Sequence, residues 1–148
     1  MQIHDPSFRE RFLEALAADT EFEAEARWFD GSILVEAGAE RLWLKIYRGK
    51  VIDVLEFVPV FGYTFKIAGS VAAWTMLGSG ERTFTDLISA GSRYLETVEE
   101  IEAAGGGYRP PELAIEGNGI EAGRMHIATM HLARRFAETA VASMVVPA

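Results

Sequence analysis

A chain of 148 residues with an apolar share of 49% and no cysteine is long enough to bury a sizeable core, and it can form neither disulfides nor thiolate metal sites. Its formal charge of −8 argues against a phosphate-backbone partner such as nucleic acid, which needs a concentrated basic surface, and disfavours docking on anionic lipid headgroups. No uninterrupted run of about 18 apolar residues exists to span a membrane.

Residues 1–20 are charged rather than signal-like, which together with the missing cysteines fits a cytoplasmic protein. The mean hydropathy of +0.09 is high for so small a soluble chain. Apolar surface must therefore go somewhere, and a cavity, an oligomer interface or membrane contact would each absorb it.

Asp5 before Pro6 reads as an N-cap with proline at the first helical position, and Phe8, Phe12 and Leu16 recur every four residues. The spacing predicts a first helix over residues 6–18. From Phe22 to Ile67 the period changes to two, predicting strands at 23–29, 32–37, 41–47, 50–58 and 63–68. Asp30-Gly31, Gly38-Ala39, Arg48-Gly49 and residues 59–62 are the turns between them. Loops this short join antiparallel neighbours, so a meandering sheet is expected. Leu42, Leu44 and Ile46 share one face of their strand, with Trp43, Lys45 and Tyr47 on the other, as when helices cover a single side.

Helical spacing returns at Ser70, which can cap a helix carrying Val71, Trp74, Met76 and Leu77 and ending at residues 78–80. Thr83 and Asp86 form a capping-box pattern ahead of Phe84, Leu87 and Ile88. A further helix is expected over residues 92–103, ended by three glycines, with an extended linker at 108–111. A short strand over 112–116 then runs through Gly117-Asn118-Gly119 into a long alanine-rich helix. Met125, Ala128, Leu132 and Phe136 fall on one face of that helix, and Ile127, Met130, Ala133 and Ala137 form a second apolar stripe. A helix so widely apolar is either ordinary core or the wall of a hydrophobic cavity. No repeat or boundary divides the chain, so one domain over residues 1–148 is expected, with a core near 8–137 and an apolar tail at 141–148.

Motifs that would carry chemistry are weak. The glycines at 117, 119 and 123 form a GxGxxxG after a strand, but about 25 residues remain, too few for the second parallel strand of a dinucleotide fold. A tight strand-to-helix turn is the better reading. The segment from Gly78 to Thr83 lacks the Gly-Lys-Ser/Thr ending of a phosphate loop. His126 and His131 sit about 140° apart around a helix, which predicts no shared metal ion, and there is no nucleophile elbow. Asp53 and Glu56 fall on opposite faces of a very apolar strand, so one of them could face the covered side, where desolvation favours the protonated acid; the plainer reading is an outward carboxylate or one paired with Arg27, Lys45 or Lys66.

Taken together, residues 28–54 as hairpin strands, the run from Gly62 to Gly69 leading into the helix at Ser70, and the Glu112 to Gly117 strand before a long amphipathic helix make the chain resemble the sterol carrier protein 2 (SCP2-like) lipid-binding domain. The resemblance covers residues 8–137 and rests on patterns of hydrophobicity and glycine placement. It implies an α+β fold with a five-stranded, largely antiparallel sheet covered on one face by helices, and a hydrophobic tunnel between the layers for fatty acyl chains, sterols or similar lipids. Cofactors and catalytic residues are not implied. Three features depart from the family pattern: Gly62 and Tyr63 stand where an aspartate is frequent, residues 92–110 make a longer segment, and the C-terminus carries no peroxisomal tripeptide.

The leading expectation is therefore a carrier of an apolar ligand whose walls are Trp43, Phe57, Phe65, Trp74, Leu77, Met125, Leu132 and Phe136. The competing expectation is a small cofactor-free hydratase, isomerase or cyclase, with Asp53 or Glu56 as acid/base assisted by His126 or His131. A purely structural role is a third, in which residues 141–146 pack on a second copy to form a homodimer.

Overall fold

The computed structural model describes residues 1–89, 99 and 111–144. Helix α1 (Pro6–Ala17) starts as its sequence dictates, with the Asp5 carboxylate accepting from the Ser7 N–H at 2.9 Å and Phe8, Phe12 and Leu16 buried. Helix α2 (Thr20–Ala26) occupies part of the segment expected as a first strand. The alternation of glutamate and alanine at 23–26 mimics a period of two, but both residues are strong helix formers. Asp19 caps the helix, and the residues it buries are Phe22 and Ala26, four apart on one face.

Strands β1 (Asp30–Ala37), β2 (Glu40–Tyr47) and β3 (Lys50–Leu55) form the expected antiparallel meander. The tight turn into β3 places Arg48 and Gly49 at φ of 48° and 82°, the positive values that a two-residue hairpin turn of type I′ demands. The meander ends there. Strand β4 (Phe65–Gly69) lies against β1 in parallel, with Ile33 opposite Phe65 and Ala37 opposite Gly69. The sheet order is thus β3-β2-β1-β4-β5, and residues 56–64 cross from one side of the hairpins to the other. The connection between these strands, expected as a short turn over residues 59–62, is instead this nine-residue crossover.

Beyond β4 come α3 (Val71–Ser79), capped by Ser70, and α4 (Phe84–Ile88), opened by the Thr83–Asp86 capping box. The helix expected over 92–103 and the end of the tail, residues 145–148, lie outside the described residues. Strand β5 (Leu113–Gly117) pairs antiparallel with β4. Gly117 sits at φ 121°, and a Cβ there would lie 2.8 Å from the Phe65 Cα and the Thr64 carbonyl oxygen, so the turn after β5 needs glycine for close approach.

The Asn118 side chain accepts from the Glu121 N–H at 3.1 Å and opens α5 (Gly119–Arg124). Helix α6 (His126–Met144) follows after an irregularity at Met125. Backbone bonds from Met125 to Glu121 and from Thr129 to Met125 carry the helical pattern across it.

Helices α1, α2 and α3 all pack against α6, and this layer covers one face of the sheet. Ile33, Val35, Leu42, Leu44, Ile46, Phe65, Ile67 and Leu113 point into that interface and are fully buried. The opposite face carries a charged stripe, in which Lys66 Nζ lies 2.9 Å from Glu36 Oε1 and 3.4 Å from Glu116 Oε2. The hydrogen bond to Glu36 raises Lys66 above its usual pKa, outweighing the effect of burial.

Gly78 is where α3 meets α6 most closely, since a Cβ would run into the Ala137 carbonyl and a methyl of Val141. Gly78→Ala is expected to push the helices apart and cost about 1–3 kcal/mol in chemical denaturation. An unchanged midpoint would show that α3 is not held against α6 in solution.

Candidate functional site

The residues expected to wall a ligand fall into different environments. Phe65, Trp74, Met125, Leu132 and Phe136 are fully buried in the common core of helices and sheet. Phe136 is at its centre, with ring centroids 4.8 Å from Trp74, 5.4 Å from Phe8 and 5.5 Å from Phe12. Edge-to-face geometry of this kind fills space as crystals do. Trp43 lies on the opposite face of the sheet, buried by the crossover segment, and its indole N–H donates to the Gly62 carbonyl at 3.1 Å. Phe57 is largely exposed on that segment.

Hollows open on both sides of the sheet. One, of about 300 Å³, lies beneath α1 and α2 against the β2–β3 hairpin. Its walls are Leu13, Leu16 and Ala17 of α1, Phe22 of α2 and Val51 of β3. The positions follow from the two periods: Leu13 and Leu16 lie three apart on the inner side of α1, while Val51 pairs with the buried Ile46 and shares its face. Gly49 closes one end, where a Cβ would lie 2.6 Å from the Glu23 carbonyl oxygen. Lys50 and Glu23, 3.4 Å apart, form an ion pair at the rim. An apolar floor with two charges at its mouth can take a hydrocarbon chain with a polar end.

A second hollow, about 720 Å³, lies on the other face of the sheet, where Trp43, Ile52 and Phe61 mingle with Lys45, Asp53 and Thr64. The third, about 490 Å³, lies among α3, α4 and α6, and Leu77, Phe84 and Met130 there face Arg82, Arg134 and Glu138. Of the eight expected wall residues, Leu77 lines this third hollow and Trp43 the second. The walls of the first were missed. Their signal was present in the i, i+3 spacing of Leu13 and Leu16, but nothing local told which helix would cover which strand.

The four candidate acid/base residues are not brought into one group. Asp53 is exposed on the sheet face away from the helices and accepts from the Val54 N–H at 2.9 Å. Glu56, also exposed, pairs with Arg9 of α1. Neither carboxylate is thus enclosed on the covered side, where the acid/base reading needs one of them. His126 opens α6 with its ring 6.0 Å from that of Phe84. His131 instead faces α2, with Nδ1 3.0 Å from Asp19 Oδ2 and Nε2 3.0 Å from Glu21 Oε2.

Asp19 is the most enclosed charged group of this region, and Arg135 Nε donates to its Oδ2 at 3.0 Å. Burial by itself would raise its pKa. The Phe22 N–H, His131 and Arg135 outweigh that and hold the carboxyl below its ordinary value. All these partners are internal, so the cluster ties α2 to α6.

A five-stranded sheet in the order β3-β2-β1-β4-β5, with one parallel pair and helices on one face, is an SCP2-like fold. Among solved structures it is similar to a conserved hypothetical protein of Thermus thermophilus suggested to be a sterol carrier protein, with a TM-score of 0.55 and 14% identity over 90% of this chain and 87% of the other. It is also similar to a crystal structure of sterol carrier protein 2, with a TM-score of 0.52 and 14% identity over 91% and 94% of the two chains. Sterol carrier protein 2 of Yarrowia lipolytica in its apo form gives 0.47 and 11% identity over 91% and 98%, and the fold assignment rests on the first two. No protein-family model matches the sequence. No curated protein matches it either. Among the described residues no helix is long and apolar enough to cross a membrane.

Proposed function

We propose that this protein binds and carries an apolar ligand of the fatty acyl or sterol type, lodged between its helical layer and its sheet. The observation that carries the reading is the hollow beneath α1 and α2, with its apolar walls and the Lys50–Glu23 pair at its rim. The SCP2-like fold supports it, since one named neighbour is sterol carrier protein 2 and the other is suggested to be a sterol carrier protein. The Lys50 ammonium, largely exposed and 3.4 Å from Glu23, keeps donors to share with a carboxylate head group. Leu16 and Phe22 form the inner wall and belong to the same buried core as Leu132 and Phe136. A chain that pushes them aside enters the core that holds Phe65, Trp74, Met125, Leu132 and Phe136, whereas Trp43 and Phe57 lie beyond its reach on the other side of the sheet.

Removing roughly 300 Å² of ligand hydrocarbon from water contributes about 7 kcal/mol before ordering costs, which limits binding from this burial alone to micromolar affinity or weaker. Val51→Trp places an indole in the hollow. Affinity for a fluorescent fatty acid is expected to fall tenfold or more, while the melting temperature stays within a few degrees of the parent. Unchanged affinity in the variant would remove the ligand from this hollow. Failure of the parent protein to bind any member of a panel of fatty acids, sterols and phospholipids would end the carrier reading.

A further inference from the structure

The crossover between β3 and β4 turns at Pro59–Gly62, with the Gly62 N–H donating to the Pro59 carbonyl at 2.9 Å. Corners of such turns are ordinarily polar, since they stand in water. Here they are Val60 and Phe61, exposed to 106% and 79%, and Phe57 just before them is exposed to 60%. The turn is anchored from behind by the Trp43 indole, which bonds to Gly62 and meets the Phe61 ring at 5.8 Å between centroids. Gly62, at φ 76°, ends the turn in a conformation that glycine adopts without strain. This is a braced apolar tip.

We infer that this tip docks the protein on a lipid bilayer, with Phe57, Val60 and Phe61 entering the interface of a neutral or zwitterionic membrane. The size of the surface favours this occupant. The exposed parts of two phenylalanines and one valine amount to roughly 400 Å². A stable protein partner needs about 800 Å² per side. A convex tip offers little more to a flat partner, whereas lipids close around it.

Charge selects the kind of bilayer. Lys45, beside the tip, is paired with Asp30 at 2.7 Å, Arg9 is paired with Glu56, and the chain carries a charge of −8. Among the described residues, these two cations beside the tip are thereby already paired, and docking is apolar in origin. The hollow lined by Trp43 and Phe61 lies directly behind the tip and would face the membrane.

Because the chain has no cysteine, V60C gives a single labelling site. An environment-sensitive fluorophore on it is expected to shift to the blue and brighten severalfold when phosphatidylcholine vesicles are added, with no further gain from anionic lipid. The same label at S79C, at the end of α3 in the helical layer, should not respond. Val60→Asp in the unlabelled chain should lower co-flotation with these vesicles tenfold or more while leaving the circular dichroism unchanged, because the Val60 side chain touches little of the fold. An aqueous spectrum at V60C, an equal response at S79C, or undiminished flotation of V60D would overturn the inference. So would a blue shift that needs no vesicles and grows with protein concentration, which would assign the tip to a second copy. Ligand uptake is read separately by Val51→Trp on the other face of the sheet, so either result can fail without the other.

Discussion

Phe136→Ala is expected to destabilise the protein by about 3–5 kcal/mol, the cost of deleting a large side chain from a core that cannot collapse into the space. Phe136 is fully buried, and the rings of Phe8, Phe12 and Trp74 all pack against it. These partners come from α1 and α3, so the one ring joins three helices. For a domain of this size each kcal/mol shifts the melting temperature by about 2–4 °C, so a drop of the order of 10 °C is expected in a thermal scan. A loss below about 1 kcal/mol, accompanied by tighter lipid binding, would mean instead that Phe136 borders a space that opens for ligand.

Asp19→Ala should produce the next largest loss, about 2–3 kcal/mol at neutral pH. The substitution removes the cap from α2, where Asp19 accepts from the Phe22 N–H at 3.0 Å, and leaves Arg135 and His131 facing an empty position. Its pH dependence has a definite sign. Asp19 is held below its ordinary value of 3.8 by the Phe22 N–H, His131 and Arg135, in spite of burial. A carboxyl with a depressed folded-state pKa contributes stability above its unfolded pKa and loses that contribution as the pH falls through the folded one. Urea midpoints of the parent should therefore decline more steeply than those of Asp19→Asn as the pH is lowered through about 4 and below. Parallel curves for the two proteins would show that Asp19 gains nothing from its partners.

Both expectations concern residues whose importance was only half visible in advance. Phe136 stood out through its spacing with Met125, Ala128 and Leu132, which marked an inward stripe. The same stripe suits a packed core and a ligand wall equally, because both ask only for apolar side chains at helical spacing. Which of them holds depends on what lies opposite, and the rings opposite come from residues 8, 12 and 74. Asp19 gave no such signal. Its partner His131 stands on the other side of the sequence, and a contact at that separation leaves no local pattern.

Turn chemistry and alternation made the hairpins legible: Arg48-Gly49 and the Leu42, Leu44, Ile46 face needed no tertiary information. Capping residues likewise placed α1, α3 and α4, since Asp5, Ser70 and Thr83 satisfy backbone N–H groups within three residues of themselves. Residues 23–29 misled because glutamate and alanine alternate there, a pattern that a short helix and a half-buried strand can share.

By itself, then, the amino-acid sequence determined the α+β class, most element starts and the inner faces of strands and helices, all properties set by neighbours a few residues apart. Only the tertiary structure decided that β4 lies parallel to β1, that the crossover exposes Val60 and Phe61, and that a hollow is left beneath α1 and α2. Those outcomes depend on how packed layers meet across the whole chain, and side chains far apart in sequence must compete for the same space before any of them is settled.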